Sequence, residues 1–436
     1  MISADFLIIK GRTVEEIVDE IRGLIEAGSV PEGEALPTVR ALADCLGVHR
    51  NSVAQVYKRL AGYGLVETNG RAGTRVTRRS EALIPDSLAS NPKVTDLSSG
   101  SPDPGLLPDL HSGIKGIPSQ SRVYGGAVND SRLVAHAEHG FEADGYARGT
   151  CVIVSGVMDG MERALDAHLM PGDLVAVEEP CFVGIINLLR NRGYTPVAVA
   201  LDAEGMTVDG LQKALSSNVK ALIWTPRAQN PTGTVTSATR AEALKQVLEA
   251  YPDFLIIEDD HFHPLLSGTC HTLIADSQRF WAVLRSVSKA LGPDLRVGFV
   301  YADEVTAGRV RTRQGVGTRW VSMILQSIAL ALIESGDANR RYEHAARQYA
   351  HRRQLLIGRL GEAGIEATGA SGLYVWIPIA HDNEVAQALA ALGWLVRTGE
   401  SFRISKRISG LRVTISTMTD AQCTDFVSDL KKCLRG

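Results

Sequence analysis

Between residues 150 and 300 six short apolar runs recur: Thr150–Val154, Leu174–Val177, Ala221–Trp224, Phe254–Ile257, Ala282–Arg285 and Val297–Val300. Runs this short and this rich in β-branched residues read as buried strands, and the longer helical patterns between them supply crossovers. The chain is thereby held to an α/β fold with a mostly parallel sheet. Ligands in such sheets gather at the carboxyl ends of the strands, so the polar residues that follow these runs are the first candidates for chemistry.

Four groups of residues stand at those ends. Ser155-Gly156-Val157-Met158-Asp159-Gly160 links the first run to a helical pattern, which places backbone N–H groups where a helix start can hold a phosphate. Asn230-Pro231-Thr232-Gly233 offers an amide, and Glu258-Asp259-Asp260 offers an acid. In Arg285-Ser286-Val287-Ser288-Lys289, with Arg296 seven residues on, an amine is flanked by two hydroxyls and a guanidinium. A lysine for a Schiff base, an acid that keeps a pyridine nitrogen protonated, a donor to the ring oxygen and a phosphate cradle are what pyridoxal 5'-phosphate chemistry requires. Each signal alone is weak, since Asn-Pro-Thr-Gly is commonly a turn and an Asp pair after a strand is commonly a cap. Their order and their strand-end placement carry the reading.

The first eighty residues have a different character. Val14, Ile17, Val18, Ile21, Leu24 and Ile25 fall at helical spacing, with Thr13 as N-cap, Glu16 as its capping-box partner and Gly28 as a stop. Thr38 caps a second helix that ends at Gly47, and a third runs from near Arg50 to Gly62. Leu65–Thr68 and Thr74–Val76 follow as extended pieces around the turn sequence Asn69-Gly70-Arg71-Ala72-Gly73. This order is a winged helix-turn-helix, whose third helix offers its N-terminal side chains to the DNA major groove while the wing meets the backbone or minor groove. Arg40, His49, Arg50, Asn51, Ser52, Gln55 and Lys58 are placed to read, with Arg71 and Arg75 on the wing. Charge agrees: residues 1–37 carry three Lys/Arg against eight Asp/Glu, whereas residues 38–79 carry eight against two.

The weakly periodic, Pro- and Ser-containing residues 78–95 read as a linker between a head at 1–77 and a body at 96–436. Within the body we expect a large subdomain over about 125–310 and a small one over about 311–436. Six cysteines lack CxxC spacing, and no Cys/His cluster accompanies His261-Phe262-His263, so reduced thiols and no metal site are expected. The beginning of the sequence lacks the pattern of a secretion signal, and no apolar run is long enough to span a bilayer, so a cytoplasmic protein is expected.

The segments Ala35-Leu36-Pro37-Thr38-Val39-Arg40, Leu46–Val53, Tyr57 and Gly70–Val76 closely resemble the GntR family of bacterial regulators. The body resembles the fold-type I, aspartate-aminotransferase-like enzymes, and head and body together look like the MocR subfamily. This resemblance implies a homodimer that binds double-stranded operator DNA and pyridoxal phosphate. It assigns Lys289 to the Schiff base, Asp259 to the pyridine nitrogen, Asn230 to the ring 3-oxygen and Phe182 to stacking on the ring. Ser155, Gly156, Val157, Ser286, Ser288 and Arg296 would surround the phosphate, Tyr124 would reach it across a dimer interface, and Arg412 would pair a substrate carboxylate. Two positions depart from the pattern. His261 replaces the usual tyrosine that also serves the ring oxygen, and Tyr124-Gly125-Gly126-Ala127 lacks the usual proline. Cofactor binding survives such changes, whereas turnover of transamination is left open. The expected function is a regulator sensing pyridoxal phosphate or an amino compound that condenses with it; the alternative is an aminotransferase acting on an amino acid. The approach Ser98–Pro108 further resembles the vitamin B6 salvage regulators of that subfamily.

Overall fold

The structure, a computed structural model, describes residues 9–68, 73–76, 94–115, 117, 123–146, 149–266, 270–405 and 408–435. These form two compact units: one holds the described residues of the first 88 with Met170–Leu174 and Ile186–Pro196, and the other holds the remainder.

In the first unit three helices and a hairpin enclose a core of their own. Helix α1 (Val14–Glu26) opens with the expected box, in which the Thr13 side chain accepts the Glu16 N–H and the Glu16 side chain returns to the Thr13 backbone. Helix α2 (Val39–Leu46) is capped by Thr38 and closed by Gly47 at φ 65°, a left-handed turn that glycine adopts without strain. Helix α3 (Arg50–Gly62) follows at once. Strands β1 (Val66–Thr68) and β2 (Thr74–Val76) pair antiparallel with Val66 opposite Val76. Ile17 and Ile21 of α1, Leu42 of α2, and Val53, Val56 and Leu60 of α3 are completely buried together. The wing tip with Arg71, then Thr77 and residues 78–93 of the expected linker, lie outside the described residues.

The second unit begins with β3 (Thr95–Asp96), α4 (His111–Ile114) and α5 (Ser131–Ala143). The large sheet, all but Leu174 and Thr195–Pro196 of it in this unit, contains β4 (Thr150–Val154), β5 (Leu174–Glu179), β6 (Thr195–Asp202), β7 (Gly205–Met206), β8 (Ala221–Trp224), β9 (Leu255–Asp259), β10 (Phe280–Ser286) and β11 (Gly298–Ala302). Helices α6 (Val157–His168), α7 (Val183–Asn191), α8 (Val208–Leu215) and α9 (Ala238–Leu248) connect its strands, in the spatial order β4-β11-β10-β9-β8-β5-β6-β7. After the sheet come α10 (Glu304–Val316), α11 (Met323–Ile333) and α12 (Ala338–Glu362). Last are β12 (Tyr374–Ile377), α13 (Asp382–Ala391), β13 (Trp394–Leu395), β14 (Arg397–Thr398), β15 (Leu411–Thr414) and α14 (Asp420–Cys433). Strands β12, β15 and β14 form a second sheet, while β13 pairs with β3 and so ties Thr95–Asp96 to the C-terminal part.

The sheet is parallel through its centre, as expected, and antiparallel toward its edges. Strands β5, β8, β9 and β10 are parallel neighbours, but β11 runs antiparallel to both β10 and β4. The stretch from β10 to β11 holds only one turn of 3₁₀ helix, Pro293–Leu295, too short to carry the chain back for a parallel strand. The reversal matters for chemistry. Ser286 at the end of β10 and Val154 at the end of β4 both lie opposite Gly298, so Arg296, just before β11, arrives where the other strands finish.

Among the described residues no helix is long and apolar enough to cross a membrane.

Candidate functional site

Three consecutive acids end β9 and continue past it, and the structure separates their roles. Glu258 Oε1 accepts the Thr272 hydroxyl at 2.8 Å and the Leu273 N–H at 2.7 Å. Asp260 is wholly buried and held by two arginines, with Arg227 Nε 2.8 Å from Oδ1, and Arg227 Nη2 and Arg285 Nε each 2.9 Å from Oδ2. Asp259, also buried, keeps an oxygen, Oδ1, that among the described residues has no hydrogen-bond donor and lies 3.5 Å from His261 Nδ1. A buried acceptor left unpaired costs about 1–3 kcal/mol, more when charged, so this carboxylate suits an N–H that the chain itself does not supply. Burial pushes the pKa of Glu178 up to about 8, and the Asp259 charge adds to the rise.

A second cluster occupies the ends of β4 and β10. Arg296 Nη2 donates to the Ser155 carbonyl at 2.6 Å, and Ser155 N–H is capped by Asp159 Oδ2 at 2.9 Å. Gly156 stands between at φ 93°, a backbone conformation that glycine adopts without strain, and a Cβ there would lie 2.7 Å from Arg296 Nη2. Helix α6 starts at Val157, and the Ser286 and Ser288 hydroxyls join at 2.7 Å. Two hydroxyls, a guanidinium and the first turn of a twelve-residue helix form a donor set that fits a phosphate.

Half-buried Lys289 donates through Nζ to the Gly100 carbonyl. Arg412 is 2% exposed and donates to Asn230 Oδ1 at 3.2 Å and to the Ser98 carbonyl, while its Nε has no acceptor among the described residues. Its guanidinium lies 4.7 Å from the Tyr374 ring centre and 5.3 Å from that of Phe402. Burial lowers its pKa to about 10. Among the described residues no carboxylate lies within ion-pair distance of it and Asp96 acts on it only at longer range, so this buried cation suits an added anion. The segment Ser98–Gly100 thus binds both Lys289 and Arg412 through backbone carbonyls, a role that sequence reasoning missed. Tyr374 was missed too: a Cβ on Gly100 would sit 2.7 Å from its hydroxyl. Phe182 is half-buried beside Gly184, where a Cβ would lie 2.4 Å from its ring. Tyr124 is 76% exposed; it meets Trp320 edge-on at 5.7 Å and lies under the Arg319 guanidinium at 5.0 Å rather than joining the Lys289 cluster.

In the head, α3 presents Arg50, Asn51, Gln55 and Lys58 to solvent, with Ser52 half-buried, opposite buried Val53, Val56, Tyr57 and Leu60. His49 is engaged as an N-cap, its Nδ1 accepting the Asn51 N–H at 3.2 Å, which fixes the ring at the helix start. Arg40 is exposed 3.7 Å from Asp44, and exposed Arg75 donates to the Gly33 carbonyl at 3.0 Å.

The family of aminotransferases class I and II matches residues 135–430, and the gntR family of bacterial regulatory proteins matches residues 13–76. The vitamin B6 salvage pathway transcriptional repressor PtsJ of Salmonella typhimurium is 40% identical over 427 residues, 98% of this chain and 99% of that protein. The chain belongs to the MocR-type regulators of the GntR family. The pyridoxine biosynthesis regulator PdxR of Corynebacterium glutamicum is 26% identical over 80% of this chain and 78% of that protein. Among solved structures, kynurenine aminotransferase from Pyrococcus horikoshii superposes with a TM-score of 0.73 at 21% identity, covering 80% of this chain and 92% of that one. LysN, the α-aminoadipate aminotransferase of Thermus thermophilus, gives 0.72 at 21%, covering 82% and 96%. These two establish the fold of the body alone. As a MocR-type chain the protein joins a DNA-binding GntR head to a fold-type I aminotransferase body and acts in transcription.

Proposed function

We propose that this MocR-type regulator senses pyridoxal phosphate, or an amino compound that condenses with it, in the service of vitamin B6 salvage. The observation that carries the reading is the buried, donorless oxygen of Asp259 in the same unit as Lys289 and the Arg296 cradle. The bound cofactor would supply an electrophilic carbonyl that condenses with amines. Lys289 would provide the attaching amine, Asp259 would hold the proton of the pyridine nitrogen, and Asn230 and His261 would face the ring oxygen. Ser155, Gly156, Val157, Ser286, Ser288 and Arg296 would hold the phosphate, Phe182 would cover the ring, and the partner's Tyr124 would complete the site in a homodimer. The salvage assignment draws on the Salmonella repressor, which spans nearly the whole chain.

A sensor requires that the cofactor bind two arrangements of the protein unequally, since equal affinity shifts nothing. Titrating operator DNA with holo protein, apo protein and Lys289→Ala should give isotherms that differ by about 1–3 kcal/mol, and DNA should alter cofactor affinity by the same factor. Coincident holo and apo isotherms would defeat the sensor reading.

Two further results are expected. Arg50→Ala or Asn51→Ala should weaken operator binding by about 1–3 kcal/mol if a base edge is contacted, whereas Arg75→Ala should weaken all sequences alike and flatten the salt dependence. Arg412→Gln should abolish the DNA-binding response to carboxylate-bearing amino compounds while leaving the cofactor absorbance in place. A response retained by that variant would remove Arg412 from effector recognition.

A further inference from the structure

The second unit contains a cavity of about 270 Å³ that, among the described residues, is lined by none of Lys289, Asp259, Asn230 or Arg412 and shares only Ser286 with the cluster above. Its walls are apolar: Phe141 of α5, Phe299 of β11, and Val287 and Leu291 from the segment that carries Lys289. Asn339 and Tyr342 of α12 also line it. Its volume lies between the roughly 150 Å³ that accommodates benzene and the roughly 300–1,000 Å³ of drug-sized sites, which is room for one ring with a substituent.

The polar group that defines this cavity is Arg285. Its side chain is only 4% exposed and lies 4.4 Å from the Phe141 ring centre; Nε bonds Asp260, and Nη2 pairs with Asp144. Among the described residues Nη1 has no acceptor, and it lies 3.9 Å from where a Cβ on Gly140, another lining residue, would stand. A nearly buried guanidinium therefore leaves one donor free at the cavity wall, and an unpaired donor there favours an occupant that can accept from it.

Charge decides what kind of acceptor. Arg285 and Arg227 are balanced by Asp260 and Asp144, so the group carries no excess positive charge. His263, which lines the cavity 3.8 Å from Asp144, adds none, because burial and then the Arg285 charge lower its pKa to about 4. An anion placed here would face two carboxylates without a free cation to offset them, and a cation would face Arg285.

We propose that this cavity is a second small-molecule site, taking a neutral single-ring compound that presents one hydrogen-bond acceptor to Arg285. Because Val287 and Leu291 flank Lys289 in sequence, an occupant fixes the segment on which the lysine is carried. Only that coupling rests on the proposed cofactor function; the site does not.

Benzamide is the probe, with benzoate and benzylamine as charged comparators, titrated into the full-length protein by calorimetry and saturation-transfer NMR. Benzamide should bind saturably and more tightly than either ion. Ala137→Phe, which adds a ring at a lining position on α5, should weaken it at least about tenfold. Ile333→Trp, at a second lining position, serves if the first variant does not fold. Both variants should keep the visible absorbance of the cofactor. No saturable benzamide binding by the wild type, equal affinity in a folded filling variant, or benzoate binding as tightly as benzamide would overturn the site. Saturable benzamide binding in a protein that never takes up cofactor would sink the sensor reading and leave this one standing.

Discussion

Lys289→Ala is expected to abolish the visible absorbance of the purified protein and to leave its fold intact. The wild-type Nζ is half-buried and bonded to a backbone carbonyl, so the amine is held in one place without a carboxylate to lock it as an ion pair. Truncation removes one charge-assisted hydrogen bond to a backbone carbonyl, worth about 1.5–3 kcal/mol, which a stable domain tolerates. The proposed covalent link to the cofactor, by contrast, has no substitute, because among the described residues no other offers an amine at the end of β10. Asp259→Ala separates attachment from tuning: that variant keeps the amine but loses the proton holder, so a band should remain, weakened and shifted. The measurements are an absorbance spectrum after saturation with pyridoxal phosphate and dialysis, and a melting curve. An undiminished band in Lys289→Ala would remove the lysine from the site.

The alternation of apolar runs with helices placed six of the eight strands, because strands buried on both faces must be continuously apolar; β6, only partly buried, and the two-residue β7 gave no such run. The same property hid the direction of β11: Gly298–Ala302 is buried at every position, and such a run reads alike both ways. The capped helices of the head were legible down to Thr13, Glu16, Thr38 and Gly47, since capping is local and each residue type has one job there. His49 was less so. It belongs to the reading helix by position, yet its ring bonds the Asn51 backbone, a competition between cap and groove that spacing alone does not settle. Asp259 and Asp260 are chemically the same in sequence, and only the two arginines gathered from β10 and the loop after β8 tell them apart. Ser98 and Gly100 were illegible for a different reason. They act through carbonyl oxygens, which every residue has.

Asp260→Ala should be among the most destabilising single changes in the body, at about 3–5 kcal/mol, because it removes one partner of a buried charge network and leaves the others uncompensated. Asp260 is completely buried, and its carboxylate binds Arg227 through both oxygens and Arg285 through one. Arg285 would keep Asp144, a third exposed, so the damage falls on the Arg227 side first. The loss also falls beside the proposed site. Asp260 follows Asp259, and Arg285 precedes Ser286, so the network joins the ends of the two strands that carry the proposed proton holder and the proposed phosphate hydroxyls. Its acid sensitivity has a defined sign. Burial alone pushes the Asp260 pKa up, but the hydrogen bonds from Arg227 and the charges of Arg285 and Arg227 outweigh it and hold the pKa below the ordinary value. A lowered folded pKa means that the stabilisation is complete above the unfolded value of about 3.9 and is lost as pH falls below it toward the folded value. Urea unfolding from neutral pH down to about pH 3 should therefore show a steeper acid decline in the wild type than in Asp260→Asn, which keeps the volume and removes the charge. A loss below about 1 kcal/mol for Asp260→Ala, the level of an exposed ion pair, would mean that water already reaches this network in solution.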